Sequence, residues 1–253
     1  MICLGSKRKK DLRCKARLEF ISNNVNSVTG SSQLLTFYDV HLDKDINILI
    51  ELGGCQENSI LENYIINNRL LDKIDAKNLD FIIILHAHAD HSILTPSLIG
   101  KSFEGKIITT KENKAILPAM WSDACYINEQ EVDFLKKSKK TKDRVYKPYY
   151  KMSDIDKTKE LMVCIPVDEM YDLTPNIQIR FLQNKHILGS VSCSIHLKDI
   201  NSRVHKLFYS SDLGNINNAY FVSEKQQAPK LLIALFFATE NAYNADVYKT
   251  NNR

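Results

Sequence analysis

The chain has 253 residues, enough for one large domain or two small ones. Its hydrophobic content of 44% and charged content of 25% are ordinary for a globular protein, and a net charge of +4 demands no nucleic-acid partner. No apolar stretch approaches the roughly 20 residues that cross a bilayer, and no signal-peptide core is present, so we expect a cytoplasmic protein. The six cysteines form no CxxC pair, which favours reduced thiols.

The predicted elements follow one another as an α/β pattern. Residues 1–17 carry a cluster of lysines and arginines and are interpreted as a flexible basic arm. The predicted strands are 18–21, 33–38, 46–50, 81–85, 106–110, 177–183, 191–197, 206–210 and 231–238. The predicted helices are 57–74, 93–101, 111–137 and 154–162. Because strands and helices alternate, the pattern favours helices layered on a sheet.

The segment with the strongest chemical signal directly follows the apolar strand 81–85. It holds three histidines and a carboxylate: His86, His88, Asp90 and His91. In an extended chain, residues two apart point the same way, so His86 and His88 can converge on one ion. Asp90 and His91 lie beyond the strand end and can point to a neighbouring ion. Zn²⁺ accepts imidazole nitrogens and carboxylate oxygens, so the segment predicts a metal site.

Two later residues are candidates for completing this site. His186 and Asp212 each follow a predicted strand and precede a glycine turn, so both can stand on the sheet edge that carries the histidines. Two ions about 3.5–4 Å apart would generate a hydroxide and clamp the attacking and leaving oxygens of a hydrolysed bond. Glu51, at the end of strand 46–50, is a candidate acceptor that would fix the tautomer of a ligand histidine.

Several short motifs occur in an order that identifies a family. They are 28–32 (VTGSS), 51–56 (ELGGCQ), 86–92 (HAHADHS), 186–190 (HILGS), 211–214 (SDLG) and 240–243 (ENAY). This succession resembles the β-CASP branch of the metallo-β-lactamase superfamily, which includes ribonuclease J-like enzymes and the mRNA 3′-end-processing endonuclease. The resemblance implies a metallo-β-lactamase fold, an αββα sandwich, over residues 18–238. It also implies that residues 239–253 begin a β-CASP cap domain.

The resemblance further implies roles for single residues. It assigns the metal ligands as His86, His88 and His186 for a first zinc ion, Asp90 and His91 for a second, and Asp212 as the bridge. Asp90 and Glu240 would be catalytic, with Glu240 helping to protonate the leaving group. The implied activity is hydrolysis of RNA phosphodiester bonds by a metal-activated hydroxide, endonucleolytic or exonucleolytic. Zinc is the implied metal, manganese the alternative, and single-stranded RNA the implied partner.

Three features depart from the family pattern. Glu51 stands where the family usually has Asp, and Lys185 stands where it usually has Gly. The sequence stops at Arg253, soon after Glu240, so we expect the fold to be incomplete at its C-terminus. The second zinc site is then expected to lack one ligand. We also expect a second copy of the chain, or another polypeptide, to supply the missing cap domain.

Two other functions stay open on the sequence alone. The HxHxDH motif also serves hydrolases of small esters, thioesters and lactams, because a fold does not fix a function. Alternatively, the chain is a non-catalytic module that binds RNA or a partner through the basic arm and the Tyr/Lys-rich run 136–151. Ester or lactam turnover without nuclease activity would favour the first. RNA binding that survives chelation and weakens with salt would favour the second.

Overall fold

The computed structural model describes residues 2–4, 16–22, 30–138, 145–214 and 233–235, the first and last segments by their backbone alone. Two β-sheets stack face to face, and helices cover the outer face of the first sheet. The predicted α/β sandwich is therefore confirmed. Within the described segments its layers are helices, a first sheet and a second sheet.

The first sheet contains seven strands in chain order. They are β1 (Ile2–Leu4), β2 (Ala16–Phe20), β3 (Gln33–Asp39), β4 (Lys44–Ile50), β5 (Phe81–Ile83), β6 (Lys106–Thr109) and β7 (Met162–Cys164). The strands β1 to β4 pair antiparallel, each with the next in the chain. From β4 to β7 the pairing is parallel, so the carboxyl ends of these strands meet at one edge.

The second sheet contains five strands. They are β8 (Met170–Thr174), β9 (Ile177–Gln183), β10 (Val191–Lys198), β11 (Val204–Tyr209) and β12 (Ile233–Leu235). Neighbouring strands pair antiparallel from β8 to β11, and β12 joins β11 in parallel. The sequence analysis misses β7 and β8, because neither short segment shows a clear apolar alternation. Of the predicted strand 231–238, the residues on either side of β12 lie outside the described segments.

The helices are α1 (Ile60–Asp72), α2 (Ala89–Ser92), α3 (Lys111–Lys137) and α4 (Met152–Glu160), with 3₁₀ segments at Ala76–Asn78 and Thr95–Lys101. A capping box of Ser59 and Glu62 begins α1. The predicted helix 93–101 is wrong in type, because the segment that contains Pro96 forms a 3₁₀ helix after the short α2. None of the described helices has the length and apolarity to cross a membrane.

The strand β5 is buried on both of its faces. Ile82 packs with the helices, while Ile83 packs against the second sheet, and the next two residues continue this alternation. All of them are fully buried. This double burial explains why the run 81–85 is apolar throughout instead of alternating with polar residues. The residues that follow it therefore emerge at the centre of the sheet edge, where active sites of α/β proteins gather.

Two predicted segments at the ends of the chain lie partly or wholly outside the described residues. The basic arm, residues 1–17, includes β1 and the first two residues of β2, and the other residues of the arm lie outside the described segments. The predicted cap segment 239–253, with the predicted catalytic Glu240, also lies outside them. Both predictions therefore stay predictions.

Trp121 joins the helical layer to the segment that carries the histidine motif. Its side chain on α3 is fully buried, and its Nε1–H donates to the carbonyl oxygen of Ser92, 3.0 Å away. We expect Trp121→Phe to lower the free energy of unfolding of the metal-free chain by about 1–3 kcal/mol, because it removes a buried hydrogen bond and leaves a gap.

Urea unfolding followed by circular dichroism measures this loss. Fluorescence is unsuitable, because Trp121 is the only tryptophan and the variant lacks it. Tyr126→Phe, at an exposed position of the same helix, is the matched control and should stay within about 0.5 kcal/mol of the wild type. Equal urea midpoints for Trp121→Phe and the wild type would show that the bond contributes nothing.

Candidate metal centre

The structure brings all six predicted ligand side chains together at one sheet edge. The loop after β5 and the helix α2 supply four of them, and the loops after β9 and β11 supply one each. The six residues are His86, His88, Asp90, His91, His186 and Asp212. They come from parts of the chain more than 120 residues apart, so the fold rather than local sequence assembles them.

Three histidines and one aspartate surround a first point. Nδ1 of His88 and Nε2 of His186 are 3.1 Å apart. Oδ2 of Asp212 lies 3.7 Å from Nε2 of His86 and 3.5 Å from Nε2 of His186. One ligand atom from each residue lies within 4.8 Å of the others. Three imidazole nitrogens and one carboxylate oxygen match the donor set of a four-coordinate zinc site.

A second point lies on the other side of Asp212. Nε2 of His91 is 3.4 Å from Oδ1 of Asp212 and 3.5 Å from Oδ2 of Asp90. Asp212 therefore turns one carboxylate oxygen to each group. In the described part of the chain, the second group consists of one nitrogen, from His91, and the carboxylates of Asp90 and Asp212. It therefore has fewer histidines than the first group.

The outer nitrogens of two histidines test whether the site fits a metal. Nε2 of His86 and Nε2 of His91 are buried, and neither has a hydrogen-bond partner among the described residues. A buried polar atom without a partner costs free energy, and a metal ion would satisfy it. On the other side of each ring, Nδ1 of His91 lies 2.7 Å from Oε2 of Glu51, and Nδ1 of His86 lies 3.2 Å from Oγ of Ser211. In a neutral ring, donation from Nδ1 leaves the Nε2 lone pair facing the centre, so these residues fit a bound metal.

Glu51 and His91 form a fully buried pair behind the centre. Burial raises the pKa of Glu51, but the charge and hydrogen bond of His91, together with the nearby His86, have the larger effect and hold this pKa well below its usual range. Burial lowers the pKa of His91, but Glu51 and Asp90 raise it well above its ordinary value in the metal-free chain. Glu51 thus orients a candidate ligand histidine, the role predicted for it.

The other two histidines of the first group are held neutral. Burial and the neighbouring His86 and His88 lower the pKa of His186 to about 4. Burial, followed by the charge of His86, lowers the pKa of His88 as well. At neutral pH both imidazoles are therefore in the form that can coordinate a metal ion.

Tyr209 is a contact of this site that the sequence analysis misses. It is fully buried at the end of β11, and its O–H lies 3.0 Å from Oε2 of Glu51 and 2.6 Å from Oε1 of Gln33. Burial and the charge of Glu51 raise its pKa well above the ordinary value, so it remains a protonated donor. In the sequence, the only signal of this contact with Glu51 is a tyrosine hydroxyl group at a strand position expected to be buried.

Two glycines allow the loops of the site to approach one another. A Cβ on Gly53 would lie 1.5 Å from the carbonyl oxygen of Asp90, and a Cβ on Gly214 would lie 1.8 Å from that of Lys185. Any larger residue would therefore force these loops apart. Lys185 has a φ of +62°, in the left-handed region that favours glycine, so the departure from the family glycine carries a backbone cost.

The aromatic residues of the run 136–151 do not form an exposed stacking surface. Tyr146 and Tyr150 are buried in the core, and Tyr149 stacks on Tyr64 with ring centroids 5.6 Å apart. If the run 136–151 binds RNA, the buried rings of Tyr146 and Tyr150 therefore cannot stack on its bases. Residues 139–144 of this run lie outside the described segments.

Comparison with known proteins supplies relatives for this site. No model of a protein family matches the chain. Transcription termination factor FttA of Thermococcus kodakarensis is 27% identical over 172 residues, which cover 68% of this chain and 24% of FttA. An RNase J-like protein of Methanocaldococcus jannaschii is 26% identical over 143 residues, which cover 56% of this chain and 27% of that protein. The chain is similar over these residues to FttA and to an RNase J-like protein, in agreement with the resemblance that its motifs indicate.

The chain matches only part of each of those proteins. FttA of Methanosarcina mazei is 24% identical over 201 residues, which cover 78% of this chain and 28% of that protein. The chain thus spans about a quarter of the length of the curated relatives it matches.

Solved structures that are similar to the chain include metallo-β-lactamase fold proteins. YhfI from Bacillus subtilis has a TM-score of 0.40 and 18% identity, covering 77% of this chain and 61% of YhfI. MEM-A1, a subclass B3 metallo-β-lactamase from a soil metagenome library, has a TM-score of 0.40 and 15% identity, covering 74% and 61%.

Proposed function

We propose that this chain provides the metal centre of a hydrolase that cleaves RNA phosphodiester bonds. The observation that carries the proposal is the pair of buried Nε2 atoms of His86 and His91, which face Asp212 and have no hydrogen-bond partner in the part of the chain that the structure describes. The relatives favour RNA as the substrate, because one is named RNase J-like and others are named transcription termination factors. Single-stranded RNA is the proposed form of the substrate.

Each ligand side chain has a place in this proposal. His86, His88 and His186 would hold a first ion, Asp90 and His91 a second, and Asp212 both. Zinc suits these nitrogen and carboxylate donors, and bound ions would activate water and polarise the phosphodiester. Asp212 would fix the separation of the two ions, because its two oxygens face opposite groups. Lys185 would add positive charge next to His186, which favours a phosphodiester substrate.

Asp90 is the acid best placed to contact the attacking water. About a quarter of its side chain is exposed, against 5% for Asp212 and none for Glu51. Burial raises the pKa of Asp90, but the hydrogen bond and charge of His91 have the larger effect, so the pKa is lowered overall. The carboxylate is therefore ionised at neutral pH. It can therefore accept a hydrogen bond from water and orient its lone pair toward phosphorus. Glu240 stays the proposed proton donor to the leaving group.

Metal content and RNA cleavage, measured together on the full chain, test this function. We expect one tightly bound zinc and one weakly bound zinc per chain, and zinc-dependent cleavage of a labelled single-stranded RNA. Asp90→Ala should keep the tight ion and lose the cleavage. Asp156→Ala, at an exposed position on α4, is the matched control and should behave as the wild type. Cleavage that persists in a chelator, or a wild-type chain that takes up no zinc, would contradict the proposal.

A further inference from the structure

Ser211 has a backbone conformation that favours glycine. Its φ is +51°, in the left-handed region where a Cβ crowds the neighbouring carbonyl group. The residue is also fully buried, between β11 and Asp212. A strained, buried serine at this point of the chain is best explained by a role of its hydroxyl group.

The hydroxyl group of Ser211 lies between a histidine and a carboxylate. Its Oγ is 2.8 Å from Oε1 of Glu51 and 3.2 Å from Nδ1 of His86. The direct distance from Nδ1 of His86 to Oε1 of Glu51 is 3.6 Å, too long for a hydrogen bond. Because the ionised carboxylate can only accept, Ser211 donates its proton to Glu51 and accepts one from Nδ1 of His86.

The same carboxylate therefore orients one histidine of each metal group. His91 reaches Oε2 of Glu51 directly, over 2.7 Å, whereas His86 reaches Oε1 only through Ser211. A His86 ring that loses this acceptor could carry its proton on Nε2, the atom that faces Asp212. A proton at Nε2 blocks the lone pair that a metal ion needs.

We propose that Ser211 is a positioning residue that fixes the Nδ1–H tautomer of His86 and thereby raises the affinity of the first metal group. The inference rests on the metal centre proposed above. Glycine at this position would satisfy the backbone but could not link His86 to Glu51. Alanine would keep the backbone cost and also lose the link.

Zinc affinity and thermal stability of the Ser211→Ala and Ser211→Gly chains separate these two effects. Competition with a chromophoric chelator should show zinc binding weakened by about 10- to 100-fold in both variants, because both lack the hydroxyl group. The Tm of the metal-free glycine variant should exceed that of the alanine variant by about 1–4 °C, because only glycine relieves the backbone cost.

Ser202 offers a matched control away from the metal centre. It has a φ of +61° and is exposed in the turn between β10 and β11. Ser202→Gly should likewise exceed Ser202→Ala in Tm, and both should bind zinc as the wild type does. In addition, ¹⁵N NMR of the metal-free chain reports which ring nitrogen of His86 carries the proton. We expect Nδ1–H in the wild type and in the Ser202 variants, and a shift toward Nε2–H in both Ser211 variants.

Two results would overturn this role of Ser211. The first is wild-type zinc affinity in both Ser211 variants with an unchanged His86 tautomer. The second is affinity that is lost in Ser211→Ala but restored in Ser211→Gly, because the backbone and not the hydroxyl group would then control binding. A wild-type chain that binds no zinc would contradict the proposed metal centre. Even then, the ¹⁵N NMR measurement of the His86 tautomer in the metal-free chain would still test whether Ser211 positions the ring.

Discussion

Replacing Asp212 by alanine is expected to remove RNA cleavage and to weaken the binding of both metal ions. Its two carboxylate oxygens lie 3.4–3.7 Å from ring nitrogens of His86, His91 and His186, so a single side chain serves both groups. Loss of a bridging charge should cost several kcal/mol of transition-state stabilisation, a rate decrease of at least about a thousandfold. Single-turnover cleavage of a labelled RNA and elemental analysis of dialysed protein measure the two effects.

The Asp212 variant needs controls for folding and for charge. Asp72→Ala removes an aspartate whose side chain is 78% exposed, on α1, and should leave cleavage and zinc content unchanged. Asp212→Asn keeps the shape of the side chain and removes only its charge. If zinc binding requires the carboxylate, this variant should also lose the second ion. A zinc content equal to that of the wild type in Asp212→Ala would exclude the bridging role.

The ligand set is predictable from the sequence because local spacing carries it. His86 and His88 are two residues apart after a buried strand, and Asp90 and His91 follow at the next turn. His186 and Asp212 are harder to find, since each is a single residue after its strand. Their positions before glycine turns make them candidates, and the family resemblance then implies that they are ligands. The fold places both within 4 Å of another candidate ligand.

The contacts behind the ligands are not predictable in the same way. Ser211 meets His86 across 125 residues of sequence, and Tyr209 meets Glu51 across 158. Nothing in the local pattern of either residue distinguishes a partner of a histidine from an ordinary polar residue near a turn. The segment 93–101 shows a similar limit, because an apolar pattern alone does not separate a 3₁₀ helix from an α-helix.

The buried pair of Glu51 and His91 should give the metal-free chain a stability maximum in mildly acidic solution. The pKa of Glu51 is lowered, so its contribution is present above its ordinary pKa of 4.5 and is lost as the pH falls further. The pKa of His91 is raised, so its contribution is complete below its ordinary pKa of 6.5 and is lost as the pH rises toward the raised value. Both contributions are therefore complete only between pH 4.5 and 6.5.

Glu51→Gln removes this maximum by leaving His91 without its buried counter-charge. We expect the free energy of unfolding of the metal-free chain to fall by about 3–5 kcal/mol inside that window, and by less above it, where His91 is losing its proton in the wild type. Chemical unfolding at a series of pH values measures the profile. Glu129→Gln, at an exposed position on α3, is the matched control and should keep the wild-type profile. Parallel profiles for Glu51→Gln and the wild type would show that the pair does not stabilise the fold.

The same pair makes metal uptake depend on pH. His91 must lose its Nε2 proton before that nitrogen can bind an ion. In the metal-free chain the negative charge of Glu51 raises the pKa of His91 and so opposes this loss. Zinc binding at the second group should therefore release a proton and weaken as the pH falls below the raised pKa of His91. Glu51 thus has opposite effects in the two states. It opposes loss of the proton in the metal-free chain, and it fixes the Nδ1–H of His91 once the metal is bound.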